Sequence, residues 1–89
     1  MQTILVIDDD EGLRDTIGLM LENENYRPIL VGDGTKGLET ALTSKPDLIL
    51  VDLRMPGLSG IEVCKQLRAK GSHIPVIVLS AMGDELDKV

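Results

Sequence analysis

The stretch LILVDLRMPGLSG, residues 48–60, decides how this chain folds. Its four aliphatic residues, Leu48 to Val51, lead directly into Asp52, and a proline and two glycines follow. A short apolar run without alternating polar residues is typical of a strand that is covered on both faces, as in a parallel sheet. Because such a strand is buried, the charged residue at its end requires a chemical explanation.

Three further aliphatic runs of the same kind occur at Ile4 to Ile7, Ile29 to Val31 and Val76 to Leu79. Segments of helical length separate the runs, and their apolar stripes are formed by Leu13, Ile17, Met20 and Leu21, by Leu38 and Leu42, and by Gly60, Cys64 and Leu67. The alternation of strands and helices predicts an α/β fold with a parallel sheet. Asp33 and the pattern Ser59-x-x-Glu62 predict where the second and third helices begin.

Composition limits both the size of the fold and its partners. The 89 residues allow one domain, and a net charge of −6 disfavours nucleic-acid phosphates and anionic membranes as direct partners. Cys64 is the only cysteine, which excludes an internal disulfide and fits a reducing compartment. No apolar run approaches the length of a membrane span, and the N-terminus does not resemble a signal peptide. We therefore expect a cytoplasmic protein without membrane contact.

Acidic and hydroxyl side chains follow three of the predicted strands. Asp8, Asp9 and Asp10 follow the first strand, Asp52 ends the third, and Ser80 follows the fourth. Functional crevices of open parallel sheets lie at the carboxyl ends of the strands, so these groups converge if the three strands are neighbours. A hard cation such as Mg²⁺ relieves carboxylate repulsion, and a carboxylate can also accept a phosphoryl group. The pattern favours a metal and phosphoryl site, while acidic strand-to-helix caps stay open as the alternative.

Three segments resemble a known family in the expected order. They are ILVIDDDEGLR (residues 4–14), DLILVDLRMPGLSGIEV (47–63) and PVIVLSA (75–81), and they resemble the receiver domain of bacterial two-component response regulators. The resemblance implies a doubly wound, flavodoxin-like sheet with strand order 2-1-3-4-5. Strand five and helix five of the family are absent from the sequence, so we expect the order 2-1-3-4. Residues 1–89 are then a receiver domain that is incomplete at its C-terminus.

The resemblance also implies a metal site and its ligands. Asp9 and Asp52 would ligate Mg²⁺ directly, together with the backbone carbonyl of Arg54. Asp8 would act mainly through a bound water, whereas Asp10 matches a variable position of the family. The cofactor implied by the resemblance is therefore Mg²⁺.

The phosphoryl chemistry follows from the same resemblance. Asp52 would accept the phosphoryl group of a histidine kinase, Ser80 would hydrogen-bond a phosphoryl oxygen and transmit the change of state, and Ala81 would contribute a backbone amide. A lysine and an aromatic switch residue that the family places on or after strand five are missing from the sequence. Lys88 lies on the predicted fourth helix and does not replace that lysine.

Two functions of other classes stay open. Asp8-x-Asp10 after an aliphatic strand also resembles the nucleophile motif of haloacid dehalogenase-like phosphatases, with Ser80 as the second motif. That interpretation leaves Asp52 without a function, and Gly12 stands where those enzymes usually have threonine or valine. The second alternative is an interaction module that has this fold but does not switch on phosphorylation.

Several expectations concern partners. The histidine kinase is one, and DNA would be reached only through an output domain that is not in the sequence, because VIVLSAMGDELDKV (76–89) resembles regulators with a C-terminal winged-helix domain. The open edge of strand four favours a homodimer or a swapped assembly. Arg14 lies four positions after Asp10, where a surface ion pair is favoured over a contact to phosphate.

Overall fold

The computed structural model describes residues 1–55 and 57–79, in which strands and helices alternate along the chain. In chain order the elements are β1 (Thr3–Ile7), α1 (Glu11–Asn23), β2 (Arg27–Val31), α2 (Gly34–Ser44), β3 (Leu48–Asp52), α3 (Gly60–Ala69) and β4 (Val76–Leu79). The strands form one parallel sheet in the order β2-β1-β3-β4. The predicted α/β fold and its 2-1-3-4 strand order are confirmed. The helix expected from Gly83 onward lies outside the described residues.

The two central strands, β1 and β3, place their carboxyl ends side by side. Their residues are paired in register from Ile4 with Leu48 to Ile7 with Val51. Side chains on both faces of β1 are buried, and those of β3 are buried on one face and half-buried on the other, which explains why both sequences are continuously apolar. Because the pairing ends at Ile7 and Val51, the next residue of each chain segment, Asp8 and Asp52, stands at the same edge of the sheet.

Helices cover both faces of this sheet. The β1–α1–β2 and β2–α2–β3 connections run toward opposite edges, so right-handed crossovers place α1 on one face and α2 and α3 on the other. Val63 and Leu67 of α3 are fully buried in the core with Leu5 and Ile49. Among the helices that the structure describes, none has both the length and the apolar character needed to cross a membrane.

Helices α2 and α3 begin where the sequence predicts. The carboxylate of Asp33 accepts a hydrogen bond from the Lys36 N–H at 2.7 Å at the start of α2. The Ser59 hydroxyl oxygen accepts one from the Glu62 N–H at 3.2 Å at the start of α3. The predicted N-caps are therefore confirmed.

Helix α1 contacts the sheet through a face that differs from the predicted stripe. Its buried residue is Gly18, where an added Cβ would lie 3.2 Å from Leu30 Cδ1 of β2. At about 100° per residue, Leu13 and Met20 project roughly 140° and 160° away from the direction of Gly18. Their side chains are accordingly 43% and 61% exposed. The prediction was wrong for these two residues, because the face of α1 that meets the sheet is the one that carries Gly18.

Replacement of Gly37 by alanine tests the close packing of α2 on β1. An added Cβ at Gly37 would lie 2.5 Å from Ile7 Cδ1, and Ile7 is fully buried, so either its side chain or α2 would have to shift within the core. We expect Gly37→Ala to lower the free energy of unfolding by about 1–3 kcal/mol, measured by urea denaturation. Gly12→Ala is the matched control, because its Cβ would meet only Asp10 Oδ1 at 3.6 Å. Equal stability of the two variants would contradict this packing.

Candidate metal centre

Three carboxylates meet at the carboxyl ends of β1 and β3. Asp8, Asp9 and Asp52 each offer a carboxylate oxygen, and these atoms all lie within 4.8 Å of one another. Asp8 is 1% exposed and Asp52 is 6% exposed, whereas Asp9 faces solvent. The convergence predicted from the strand ends is therefore present, and it combines two buried acids with one that is accessible.

Hydrogen bonds from neighbouring segments fix the position of Asp8. Its N–H donates to the carbonyl of Val31 at 3.0 Å, which continues the pairing of β1 with β2. Its carboxylate Oδ1 accepts from the Asp10 N–H at 2.9 Å, and its carbonyl accepts from Arg14 Nη1 at 3.0 Å. Asp8 thus uses main-chain and side-chain atoms to join β1, β2 and the start of α1.

Asp10 is an acidic strand-to-helix cap, the alternative that the sequence left open without assigning it to a particular residue. Its carboxylate Oδ1 accepts a hydrogen bond from the Leu13 N–H at 3.1 Å and caps α1. An aspartate directly before a helical stripe was the sequence signal that could have identified this cap. Cap formation turns the Asp10 side chain to the helix, so the acidic cap and the three-carboxylate cluster coexist in one loop.

Asp52 carries the electrostatic consequence of the cluster. Burial raises the pKa of its carboxyl group above the ordinary value of 3.8, and the negative charges of Asp8 and Asp9 raise it further. Hydrogen bonds from the main-chain N–H groups of Arg54 and Leu53 oppose that rise. Both causes of the increase penalise the ionised form of Asp52, so a cation placed among the three carboxylates would remove much of the penalty.

Hydrogen bonds hold the two ends of the loop between β3 and α3, of which residues 53–55 and 57–59 are described. The Leu53 N–H donates to the Leu79 carbonyl at 2.8 Å, and the Leu53 carbonyl accepts from the Gly60 N–H at 3.1 Å. Met55 and Leu58 pack against the hydrophobic core. Arg54 lies in this loop two positions after Asp52 and is exposed to solvent.

Two glycines allow the neighbouring helices to approach this loop. A Cβ at Gly60, the first residue of α3, would overlap the carbonyl oxygen of Asp52. A Cβ at Gly34, the first residue of α2, would overlap the carbonyl oxygen of Leu58. The main chain of both helices therefore rests directly on the segment that carries Asp52 and the loop that follows it.

The donor set fits a hard divalent cation. Carboxylate oxygens are the ligands that Mg²⁺ prefers, at about 2.0–2.1 Å, so its ligand atoms are separated by roughly 2.9–4.2 Å in an octahedron. The oxygens of Asp8, Asp9 and Asp52 lie within 4.8 Å of one another, which is close to that range. The cluster can accordingly bind a metal ion.

Three further residues were predicted to have roles at or near the site: Ser80, Ala81 and Arg14. Ser80 and Ala81 lie outside the described residues, so their predicted roles remain predictions. Arg14 was expected to pair with Asp10 across one helical turn, but its guanidinium donates to the Asp8 carbonyl. The ion-pair interpretation overlooked that a long side chain in the first turn of α1 can reach back to the end of β1.

Comparison with known proteins gives a consistent family assignment. The sequence matches the model of the response regulator receiver domain over residues 4–89. The sensory transduction protein RegX3 of Mycolicibacterium smegmatis is 43% identical over 89 residues, which cover 100% of this chain and 39% of that protein. The alkaline phosphatase synthesis transcriptional regulatory protein PhoP of Bacillus subtilis is 45% identical over 86 residues, covering 97% of this chain and 36% of that protein. The chain thus spans less than half the length of these relatives.

A solved structure extends the similarity to the fold. The response regulator TrrA of Thermotoga maritima, in complex with Mg²⁺-BeF, matches with a TM-score of 0.86 and 33% sequence identity. The match covers 91% of this chain and 70% of the TrrA chain. The high TM-score shows that this chain, with its 2-1-3-4 sheet, has the fold of the matched part of TrrA.

Replacement of Asp52 by asparagine tests the electrostatic description of the cluster. Because the folded-state pKa of Asp52 is raised, its ionisation lowers the stability of the wild type as pH rises from 3.8 through that raised pKa. We expect Asp52→Asn to increase the free energy of unfolding at neutral pH in the absence of divalent cations. The gain should shrink as pH falls through the raised pKa toward 3.8.

Urea denaturation at several pH values measures this gain. Glu39→Gln removes the same charge from an exposed position of α2 and should change the stability by no more than about 0.5 kcal/mol. If Asp52→Asn is no more stable than Glu39→Gln at neutral pH, the repulsion and burial at Asp52 are not as described.

Proposed function

Because this chain belongs to the response regulator receiver domain family, we propose that Asp52 is the phosphoacceptor of a two-component signalling system and that a histidine kinase is the donor. The observation that carries the proposal is the position of Asp52. It lies at the end of a buried central strand, with oxygens of Asp8 and Asp9 within 4.8 Å. A carboxylate in such a cluster can react with an anionic phosphoryl group when a cation binds beside it.

In the proposed reaction, a carboxylate oxygen of Asp52 attacks the phosphorus atom of a phosphohistidine. The new P–O bond forms while the P–N bond breaks, and the bonding electron pair returns to the imidazole nitrogen. The product is an acyl phosphate on Asp52. Phosphoryl transfer depends mostly on positioning and on neutralisation of charge, and the rigid end of β3 supplies the positioning.

The cofactor that we propose is Mg²⁺. Asp9, Asp52 and the backbone carbonyl of Arg54 would be its direct protein ligands, with Asp8 acting mainly through a bound water. When bound, the ion supplies the positive charge that allows a carboxylate and a phosphoryl group to approach each other. The cluster of hard oxygen donors and the raised pKa of Asp52 support this assignment. The Mg²⁺-BeF complex of the similar TrrA structure supports it independently.

We extend the proposal to Ser80 and Ala81 on the strength of the family. The Ser80 hydroxyl would donate to a phosphoryl oxygen, and its rotation would transmit the change of state, while Ala81 would donate its backbone amide. Phosphorylation adds up to about one further negative charge at Asp52, since a phosphate carries about −1.5 to −2 where a carboxylate carries −1. A change of this size is sufficient to bias a two-state loop.

The alternative functions have less support. A phosphatase that uses Asp8 as its nucleophile would leave Asp52 and its neighbouring loop without a role, although both are held tightly. In addition, Asp8 is the most buried of the three acids, and its Oδ1 already accepts a hydrogen bond from Asp10. An interaction module that does not switch would have no need for three converging carboxylates.

We further propose that the whole protein is a signalling protein whose output is transcription. The name of PhoP, a transcriptional regulatory protein, and the 45% identity of the matched segment support this. The output would act on DNA through a domain beyond the matched receiver region.

Intact-mass spectrometry tests the phosphoacceptor proposal directly. We expect the chain to gain the mass of one phosphoryl group when it is incubated with Mg²⁺ and a small acyl phosphate. The gain should require both Mg²⁺ and Asp52, so an Asp52→Asn variant and a sample with chelator should remain unmodified. A variant without Asp52 that still hydrolyses the donor through Asp8 would favour the phosphatase alternative. An unmodified wild type would contradict the phosphoacceptor role.

Unfolding experiments with Mg²⁺ test the cofactor proposal. At a free Mg²⁺ concentration of one hundred times Kd, we expect the free energy of unfolding of the wild type to rise by about 2.7 kcal/mol. Asp52→Asn should gain less, so that Mg²⁺ narrows or reverses the stability difference between the two proteins. Equal stabilisation of wild type and Asp52→Asn would show that the ion binds elsewhere.

A further inference from the structure

The loop that joins β1 to α1 carries two of the three clustered carboxylates and needs a restraint against their repulsion. Hydrogen bonds within the loop are formed by acids: Asp8 accepts from the Asp10 N–H, and Asp10 accepts from the Leu13 N–H. These bonds fix the path of the chain within the loop. A group that ties the same loop to the rest of the fold would restrain it further.

Arg14 is that group. It is half-buried in the first turns of α1, and its Nη1 donates to the Asp8 carbonyl at 3.0 Å. Hydrogen bonds from a charged donor are roughly twice as strong as those between neutral groups. The contact therefore ties the main chain of Asp8 to α1 and places a positive charge next to the residue that has the most buried carboxylate of the cluster.

Gly32 provides the space for this guanidinium. An added Cβ at Gly32 would lie 2.9 Å from Arg14 Nη1 and 3.9 Å from its Cζ. Gly32 directly follows Val31, whose carbonyl accepts the Asp8 N–H at 3.0 Å. The side chain of Arg14 thus lies over the adjacent ends of β1 and β2, at a place where a larger residue than glycine would displace it.

We propose that Arg14 is a positioning residue for the metal and phosphoacceptor site. Its guanidinium holds the Asp8 carbonyl so that Asp8 and Asp9 face Asp52. The inference rests on the proposed function, because the geometry that Arg14 maintains is that of the proposed Mg²⁺ ligands. Gly32 belongs to the same arrangement, since it determines whether the guanidinium can reach its acceptor.

Titration calorimetry with Mg²⁺ alone tests this role. We expect Arg14→Ala to weaken Mg²⁺ binding by about tenfold, the lower end of the effect of residues that support metal ligands. Arg14→Lys keeps the charge and one donor, and it should bind Mg²⁺ more tightly than Arg14→Ala. Gly32→Ala keeps the arginine but displaces its guanidinium, so it should also weaken binding. Gly32→Ala therefore tests the position of the guanidinium while Arg14 is still present. Its result can be interpreted even if Arg14→Ala does not fold.

Arg68→Ala is the matched control for these variants. Arg68 Nη1 also donates to a backbone carbonyl, that of Ser72 at 3.1 Å, but it does so at the end of α3. The substitution removes the same charge and a similar hydrogen bond, so it should leave Mg²⁺ affinity near that of the wild type. If Arg14→Ala and Gly32→Ala match Arg68→Ala in Mg²⁺ affinity, and differ only in unfolding free energy, Arg14 is merely structural and the proposal is wrong.

Titration calorimetry and the intact-mass measurement together distinguish this failure from failure of the proposed function. A wild type that binds Mg²⁺ and is phosphorylated on Asp52, alongside an Arg14→Ala variant of equal affinity, contradicts only the role of Arg14. A wild type that does not bind Mg²⁺ contradicts the proposed site itself and the role of Arg14 with it.

Discussion

Repulsion among carboxylates at the ends of two adjacent buried strands is the constraint on which the other features of the site depend. Parallel pairing in register brings Asp8 and Asp52 to one edge of the sheet, and burial removes much of the water that would otherwise screen their charges. The raised pKa of Asp52 is the direct result. The fold therefore holds the three carboxylates in an arrangement that disfavours the ionised form of Asp52. A cation bound among them would make that form favourable.

The surrounding structure holds this arrangement through short, directional contacts. The start of α1 is capped by Asp10, the end of β1 is held by Val31 and Arg14, and the loop after β3 is hydrogen-bonded to Leu79. Each contact involves a main-chain group, so the path of the backbone places the acids. A rigid frame of this kind suits phosphoryl transfer, in which correct placement of the reacting groups matters most.

The sequence predicted those features that depend on local pattern. Continuous apolar runs identified all four described strands, and the positions of Asp33 and Ser59 identified two helix starts. The meeting of Asp8, Asp9 and Asp52 followed from a general rule about strand ends. In contrast, the sequence did not predict the contact of Gly18 with Leu30 of β2 or the space above Gly32 that the Arg14 guanidinium occupies. Both are properties of tertiary packing, and residue periodicity along one helix contains no information about them.

The contacts of Gly34 and Gly60 have a consequence for anyone who wishes to exchange the loop at residues 53–59 with that of another protein. The main chains of α2 and α3 meet the carbonyl groups of Leu58 and Asp52 without an intervening side chain. A transplanted loop would therefore retain its shape only if both glycines were kept, even though neither belongs to the transplanted segment. A transplant should therefore include the loop together with Gly34 and Gly60, the first residues of α2 and α3.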